Sequence, residues 1–186
     1  MKIVRRYIRN TRAAAGVEFA LWLSVLLLPI LNVIDTGFYI YQRMQLENAA
    51  QAAAQAAWAL CDTSAKLPVA SNCANLQTTL ATAAHSTSLG TNAVLQTSAE
   101  GYYCTNTSGT LQLGGTAGVI NTSGSNTPPV KPSPFNCTYA GGASSTLPGD
   151  YVLITVNATY ASLFNGLSIT SIFPSPITKT AWIRLS

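Results

Sequence analysis

The chain has 186 residues, enough for one or two domains, and it is 48% hydrophobic but only 9% charged, against roughly 25% charged residues in an ordinary soluble domain. Its net charge of +4 comes from the N-terminus, because five of the ten basic residues lie within residues 1–12. A nucleic-acid-binding protein spreads its basic residues over a binding face, so this distribution argues against nucleic acid as a partner. The mean hydropathy of +0.25 indicates a chain made for lipid or for a larger assembly.

An apolar run follows the basic segment. Residues 13–34 contain one ionisable side chain, Glu18, and a helix of about 20 apolar residues spans the hydrocarbon core of a bilayer. A cleaved signal peptide is the alternative, but its apolar region is normally only ~7–15 residues long. We therefore predict a transmembrane helix over residues 13–35 and a basic cytoplasmic leader over residues 1–12, held inside by its positive charge.

Glu18 is a polar residue inside the predicted span, where an ionised group is costly and usually paired. Near the cytoplasmic edge its carboxylate could reach the lipid headgroups or Arg12. The functional alternative is a pairing with a positive group of a neighbouring subunit, such as a free α-amine, and the sequence leaves both open.

The helix is predicted to continue outside the membrane over residues 36–60, which are rich in alanine, the best helix former. Span and continuation together give one helix of about 47 residues, ~70 Å long. At 100° per residue, one face of the continuation is made mostly of small residues. This small-residue stripe includes Leu46, Ala49, Ala53, Ala56, Ala57 and Leu60. It would let a neighbouring helix approach closely, or it would form the core helix of the outer domain; both interpretations are compatible.

Residues 61–186 are predicted to form a small β-rich outer domain, so that the fold class is α+β with a long N-terminal helix. Helical spacing of apolar residues indicates a short helix over residues 75–86, and period-2 alternation indicates antiparallel strands over residues 151–160 and 177–185. Residues 105–149 are rich in turn formers and are expected to be loops with two short strands. Within them the glycine-rich stretch 114–118 is expected to be a flexible loop.

All four cysteines lie on the predicted outer side of the membrane. An oxidising compartment favours disulfides, and proximity in sequence favours the pairs Cys61–Cys73 and Cys104–Cys137. Zinc is the alternative, but the sequence has no closely spaced cysteine pair and only one histidine.

The sequence contains no recognisable catalytic motif. Its single histidine, His85, has no acid or cysteine beside it, and the outer carboxylates Asp62, Glu100 and Asp150 are too scattered to predict a catalytic pair. No nucleophile elbow, phosphate-binding loop or dinucleotide fingerprint occurs. We expect a protein that is not an enzyme and has no cofactor, no metal and no small-molecule substrate.

The N-terminal part of the chain resembles the TadE-like family. The resemblance lies in the basic N-terminus, the run AAAGVEFALWLSVLLLPIL, the Asp-Thr-Gly that starts at Asp35 and the continuation LENAAQAAAQAA. Members of this family are pseudopilins of the tight-adherence (Flp) pilus system, a bacterial secretion apparatus. The alternation after Tyr151 and the closing ITKTAWIRL also resemble the family's last strands. The resemblance implies a single-pass protein of the bacterial inner membrane with a periplasmic C-terminal domain, whose partners are other pilus or pseudopilin subunits and the inner-membrane pilus machinery.

The resemblance also implies processing by a prepilin peptidase. The family pattern places Gly before the cleaved bond and Glu fifth in the mature chain. If Glu18 is that residue, cleavage falls between Ala13 and Ala14, and Ala13 stands where Gly is expected. The chain is then either cut at this bond or retained uncleaved as an assembly factor. The alternative function is a surface-exposed adhesion or ligand-binding module displayed at a pilus tip.

Overall fold

The computed structural model describes residues 11–123, 125–164 and 166–185. Helix α1, Thr11–Cys61, passes without interruption through Pro29. Its second half has no Gly or Pro after Gly37 and is dominated by alanine, which favours helix at every position. The prediction of one helix from the apolar run into the alanine-rich segment is confirmed.

Two shorter α-helices follow, α2 (Val69–Asn72) and α3 (Leu76–His85). Leu76, Leu80 and Ala84 lie on one face of α3 and are buried, because residues three or four apart share a helix face. The helix predicted over residues 75–86 is therefore confirmed. Short 3₁₀ turns lie at Ser64–Lys66, Gly90–Asn92, Thr138–Ala140 and Ile169–Ile172.

The described residues contain one antiparallel sheet of five strands. The strands are β1 (Val94–Leu95), β2 (Ser98–Thr105), β3 (Leu111–Ile120), β4 (Gly149–Ala158) and β5 (Ile177–Arg184). Strand β4 pairs with β1, β2 and β5, and β2 pairs with β3. The predicted antiparallel strands over residues 151–160 and 177–185 correspond to β4 and β5, and the α+β fold class is confirmed.

The core lies on one face of this sheet. Alternate residues of β4 are almost fully buried, namely Val152, Ile154, Val156 and Ala158, as expected for a strand with one face against a core. The opposite face carries an aromatic cluster, in which the Tyr103 ring centroid lies 5.1 Å from that of Trp182 and 5.8 Å from that of Tyr151.

The glycine-rich stretch 114–118 was expected to be a flexible loop, and that expectation is wrong. It lies inside β3, hydrogen-bonded to β2 on one edge, while residues 127–130 cross over it through bridges at Thr116 and Val119. A Cβ at Gly118 would lie 2.5 Å from the Thr127 carbonyl oxygen. The glycine is therefore needed for the close approach of a second backbone.

Both disulfides have the pairing favoured by proximity. Cys61 at the end of α1 is bonded to Cys73 after α2, and Cys104 in β2 is bonded to Cys137. The described residues contain no free cysteine.

Contacts group the chain into two compact units that do not follow the order of the sequence. The first unit contains the helix up to Tyr41 together with Ala161–Pro174, and the second contains Gln42–Tyr160 and the C-terminal strand. The segment Ala161–Pro174, which sequence analysis assigned to the outer domain, thus belongs with the N-terminal half of α1.

Candidate functional site

The N-terminal half of α1 exposes large apolar side chains on all sides. Twelve of those between Val17 and Ile34 have between 47% and 71% of their surface exposed, whereas Leu31 is half-buried. The apolar window of this helix has a mean hydropathy of 2.1, and none of it is buried within the chain. A helix that is apolar all round needs an apolar surrounding, so this surface is long and apolar enough to cross a membrane.

Glu18 is exposed on this apolar surface. It borders a shallow groove of about 200 Å³ together with Leu21, Trp22 and Val25. In the part of the chain that the structure describes, no ion pair of Glu18 occurs; the ion pair found there joins Lys179 to Glu47 at 3.0 Å. The side chain of Arg12, one of the two predicted kinds of partner, lies outside the described residues.

The predicted cleavage site lies at the start of the described chain. The backbone of Ala13 and Ala14 is helical, within α1, and their side chains are outside the described part. The first ten residues of the basic leader are also outside it. The assignment of this bond as a prepilin-peptidase site stays a prediction.

The structure places the small-residue stripe inside the chain's own second unit. Leu46, Ala49, Ala53 and Ala57 are completely buried, while Ala56 and Leu60 are half-buried. The stripe is therefore part of the core of the outer domain, the second of the two interpretations open from the sequence. A contact of these buried residues with another subunit would require this domain to open.

Two polar residues of α1 hold the segment Ala161–Pro174. Asp35 is completely buried; its Oδ2 accepts a hydrogen bond from the Ser162 hydroxyl at 2.6 Å and its Oδ1 accepts one from the Leu163 N–H at 2.9 Å. One turn earlier, Asn32 Oδ1 accepts a hydrogen bond from the Ile169 N–H at 2.7 Å. In the sequence, Asp35 is the last residue of the predicted span and part of the family resemblance; its role as an acceptor for a distant segment has no local signal.

The second unit contains a pair of buried carboxyl groups that sequence analysis considered too scattered to meet. Glu100 lies on β2 and Asp150 on β4, and both are almost fully buried. The register places Glu100 opposite Val152 and Asp150 opposite Tyr102, so the two carboxyls are diagonal neighbours on one face of the sheet. Antiparallel pairing of β2 with β4 brings together two residues that are fifty positions apart in the sequence. The expectation that Glu100 and Asp150 are too scattered to form a pair is therefore wrong.

Glu100 is the acceptor of this pair. Its two carboxylate oxygens accept hydrogen bonds from the backbone N–H groups of Val69 at 2.6 Å and Ala70 at 2.9 Å. These are the first two residues of α2, whose amides have no partner within the helix. The carboxylate therefore fastens α2, and with it the segment closed by the Cys61–Cys73 disulfide, to the sheet.

Asp150 holds the proton that the pair retains. Burial, followed by the nearby charge of Glu100 and the hydrogen bond to it, raises the pKa of Asp150 to about 7. Burial also raises the pKa of Glu100, against the opposing effect of its backbone hydrogen bonds. Two buried carboxyls cannot both ionise without large cost, so Asp150 is the member of the pair that keeps a proton below about pH 7.

A cleft of about 390 Å³ opens beside the carboxyl pair. Asp150 and Tyr102 line it, and the Lys131 ammonium lies 5.2 Å from the centroid of the Phe135 ring and 5.8 Å from that of Tyr102. These distances allow cation–π attraction. Burial, followed by the charges of Asp150 and Glu100, raises the pKa of the Tyr102 hydroxyl. The cleft brings Asp150 next to open space, so its proton can exchange with solvent.

The described residues contain no group of three or more His, Cys, Asp or Glu side chains that could hold a metal ion. His85 is exposed at the end of α3. All four cysteines are in disulfides.

These observations define the class of protein: within residues 11–123, 125–164 and 166–185, one apolar N-terminal helix long enough to cross a membrane, joined to a disulfide-bonded α+β domain. Residues 13–55 match the family model described as TadE-like protein. The resemblance to the TadE-like family is thus confirmed over the first half of α1 and most of the second, and it indicates a component related to tight-adherence pili. The comparisons with curated proteins and with solved structures each gave no significant match.

Proposed function

We propose that this chain is a TadE-like minor pseudopilin, a non-enzymatic assembly component of a tight-adherence (Flp) pilus or secretion system. It is anchored by one pass through the bacterial inner membrane, with the N-terminus cytoplasmic and the α+β domain periplasmic. The observation that carries the proposal is the coincidence of the family match over residues 13–55 with a helix whose apolar surface is exposed on all sides. The basic leader supports the orientation by the positive-inside rule.

Helix contacts within the membrane are the proposed mechanism. The buried stripe around Ala49 and Ala53 already packs inside the chain's own domain, so the contact with pilus or pseudopilin subunits is assigned to the span instead. There, Glu18 borders a groove with Leu21 and Trp22. A carboxylate at this depth gains most from pairing with a cation of a neighbouring subunit.

Glu18→Gln tests this assignment because it removes the charge and keeps the shape. Ser24→Ala is the matched control, since the Ser24 hydroxyl lies in the same span but donates to the Leu21 carbonyl of its own helix at 2.7 Å. We expect Glu18→Gln to reduce surface filaments and co-purification of other pilus subunits, at unchanged membrane abundance, while Ser24→Ala leaves both unchanged. Normal filaments and normal co-purification in Glu18→Gln would refute a pairing role for the carboxylate.

The mature N-terminus, measured by mass spectrometry on protein from native membranes, tests the processing step. A chain that begins at Ala14 supports action of a prepilin peptidase and supplies a free amine as a candidate partner for Glu18. A chain that retains Lys2 supports a permanent cytoplasmic anchor and removes this amine from the proposal. A start beyond Leu31 would mean cleavage by signal peptidase and would refute the membrane anchor.

The second candidate function is an adhesion or ligand-binding module displayed at a pilus tip. It is favoured by the aromatic cluster on the outer sheet face, where Trp182 is 45% exposed beside Tyr103 and Tyr151. Shearing filaments from cells separates the two functions. A tip module leaves with the filaments, whereas an assembly component at the base remains in the membrane pellet.

A further inference from the structure

The segment that contacts the N-terminal half of α1 is apolar and uncharged. We name it the juxtamembrane segment, residues 161–164 and 166–174. Four of its large apolar side chains have more than half of their surface exposed: Leu163 (53%), Leu167 (56%), Ile169 (55%) and Ile172 (76%). No Asp, Glu, Lys or Arg occurs between Ala161 and Pro174. Four exposed aliphatic side chains in one short uncharged segment form a patch that needs an apolar partner.

The hydrogen bonds to α1 fix the depth of this patch. Asn32 lies within the apolar run, two residues before Ile34. Its Nδ2 donates a hydrogen bond to the Leu167 carbonyl at 3.3 Å, and its Oδ1 accepts one from the Ile169 N–H at 2.7 Å. At a rise of 1.5 Å per residue, this contact lies within the last turn of the apolar run. The Tyr39 ring packs against that of Phe173 one to two turns further out, with ring centroids 4.7 Å apart and ring planes tilted by 35°.

The same contacts satisfy the hydrogen-bonding groups of two polar side chains near the end of the predicted span, Asn32 and Asp35. An amide and a carboxylate at the end of an apolar helix are costly in lipid unless their hydrogen-bonding groups are satisfied. The juxtamembrane segment supplies partners for Asn32 and covers Asp35 completely. Its own backbone is partly satisfied in return, because the N–H groups of Leu163 and Ile169 donate to these side chains and that of Leu167 donates to the Phe164 carbonyl.

We propose that the juxtamembrane segment lies in the outer leaflet of the bilayer, at the interface between headgroups and hydrocarbon, and inserts Leu163, Leu167, Ile169 and Ile172 among the lipids. The proposal rests on the membrane anchor of the proposed function. The lipid bilayer is the occupant because the patch is continuous with the exposed apolar surface of α1 and is held at the end of the run. Non-helical backbone is not stable in the lipid-exposed hydrocarbon core, which places the segment at the interface and not deeper.

This arrangement gives the protein a second attachment to the membrane beside its spanning helix. A single helix is free to rotate and tilt in a bilayer, whereas a helix with an apolar segment bound to one side has a defined face toward the interface. Asp35 and Asn32 then act as the fasteners that keep the inserted segment against the helix.

The test measures probe depth in the full-length, oxidised protein reconstituted in phosphatidylcholine vesicles at low protein-to-lipid ratio. All four native cysteines are in disulfides, so a single introduced cysteine carries an environment-sensitive nitrobenzoxadiazole (NBD) label. The test positions are Leu167→Cys and Ile172→Cys. Val25→Cys, in the middle of the apolar run, reports whether α1 is in the membrane, and Leu147→Cys, 64% exposed in the second unit, is the reference for a surface position.

We expect the labels at 167 and 172 to be quenched by lipids with a nitroxide near the headgroup, and several-fold less by aqueous iodide than the label at 147. Iodide quenching at 167 and 172 equal to that at 147, with Val25→Cys still lipid-quenched, would overturn this inference and leave the membrane anchor standing. Loss of lipid quenching at position 25 as well would refute the anchor itself. Protection of 167 and 172 from both quenchers would assign the patch to a contact between copies of the chain and would also overturn the inference.

Discussion

The buried carboxyl pair makes the stability of the second unit depend on pH, and Asp150→Asn removes the part of this dependence that is due to Asp150. In the folded chain the pKa of Asp150 is raised from 3.8 to about 7. Between these values the folded chain keeps a proton that the unfolded chain has released. The free energy of unfolding of the wild type therefore falls as pH rises from about 4 to about 7, and it levels off above that range.

The size of this effect follows from the linkage between proton binding and folding. Each pH unit over which one extra proton is bound in the folded state changes the free energy of unfolding by about 1.36 kcal/mol. The interval from 3.8 to about 7 therefore sets an upper limit of about 4 kcal/mol on the contribution of Asp150. Asparagine has nearly the same shape, and its amide can donate to the Glu100 carboxylate without titrating.

The assay is urea unfolding of the full-length, detergent-solubilised, oxidised protein at pH values between about 5 and 8, followed by tryptophan fluorescence. We expect Asp150→Asn to flatten the pH profile and to be more stable relative to wild type at the alkaline end. Asp62→Asn is the matched control, because Asp62 is an exposed carboxylate and its removal should leave the profile unchanged. An Asp150→Asn profile with the slope of the wild type would refute the assignment of the proton to this pair.

Three further predictions use the same unfolding assay. Glu100→Gln replaces one of two accepting oxygens by an amide that faces a backbone N–H, and we expect a loss of about 2–4 kcal/mol; a loss below about 0.5 kcal/mol would contradict the fastening role. Paired replacement of Cys104 and Cys137 by serine opens a loop with a sequence separation of 33 and should lower stability by about 4 kcal/mol. Reductant opens both disulfides of the wild type and should lower its stability by more than this replacement does. Gly118→Ala introduces a Cβ against the backbone that crosses β3 and should lower the free energy of unfolding by about 1–3 kcal/mol. Gly37→Ala is the control, because a Cβ there meets open space and should not destabilise the protein. Equal effects of the two substitutions would contradict the close approach of a second backbone at Gly118.

Local pattern in the sequence was enough for the features that depend on near neighbours. The apolar run of residues 13–34 and the alanine-rich stretch after it determine one long helix, because good helix formers dominate both segments, and neither Gly16 nor Pro29 ends the helix. The alternation in residues 151–160 determines which side of β4 faces the core. Pairing each cysteine with its neighbour in chain order, Cys61 with Cys73 and Cys104 with Cys137, correctly indicated both disulfides.

Features that join distant parts of the chain were decided by the tertiary structure. The sequence alone could not show that Glu100 meets Asp150, since only the register between β2 and β4 makes them neighbours. Nor could it show that Gly118 lies in a strand, because its role depends on a backbone segment that crosses over it.

The small-residue stripe around Ala53 and the juxtamembrane segment are also cases in which the sequence predicted burial or an apolar character but not the contact partner. Amphipathic spacing predicted that the stripe would be buried, but burial inside the chain and burial against another subunit have the same sequence pattern. Asp35 likewise has no neighbour in sequence that predicts its bonds to Ser162 and Leu163. Hydrophobic periodicity determines which face of an element avoids water, whereas the choice of what covers that face depends on how the whole chain packs.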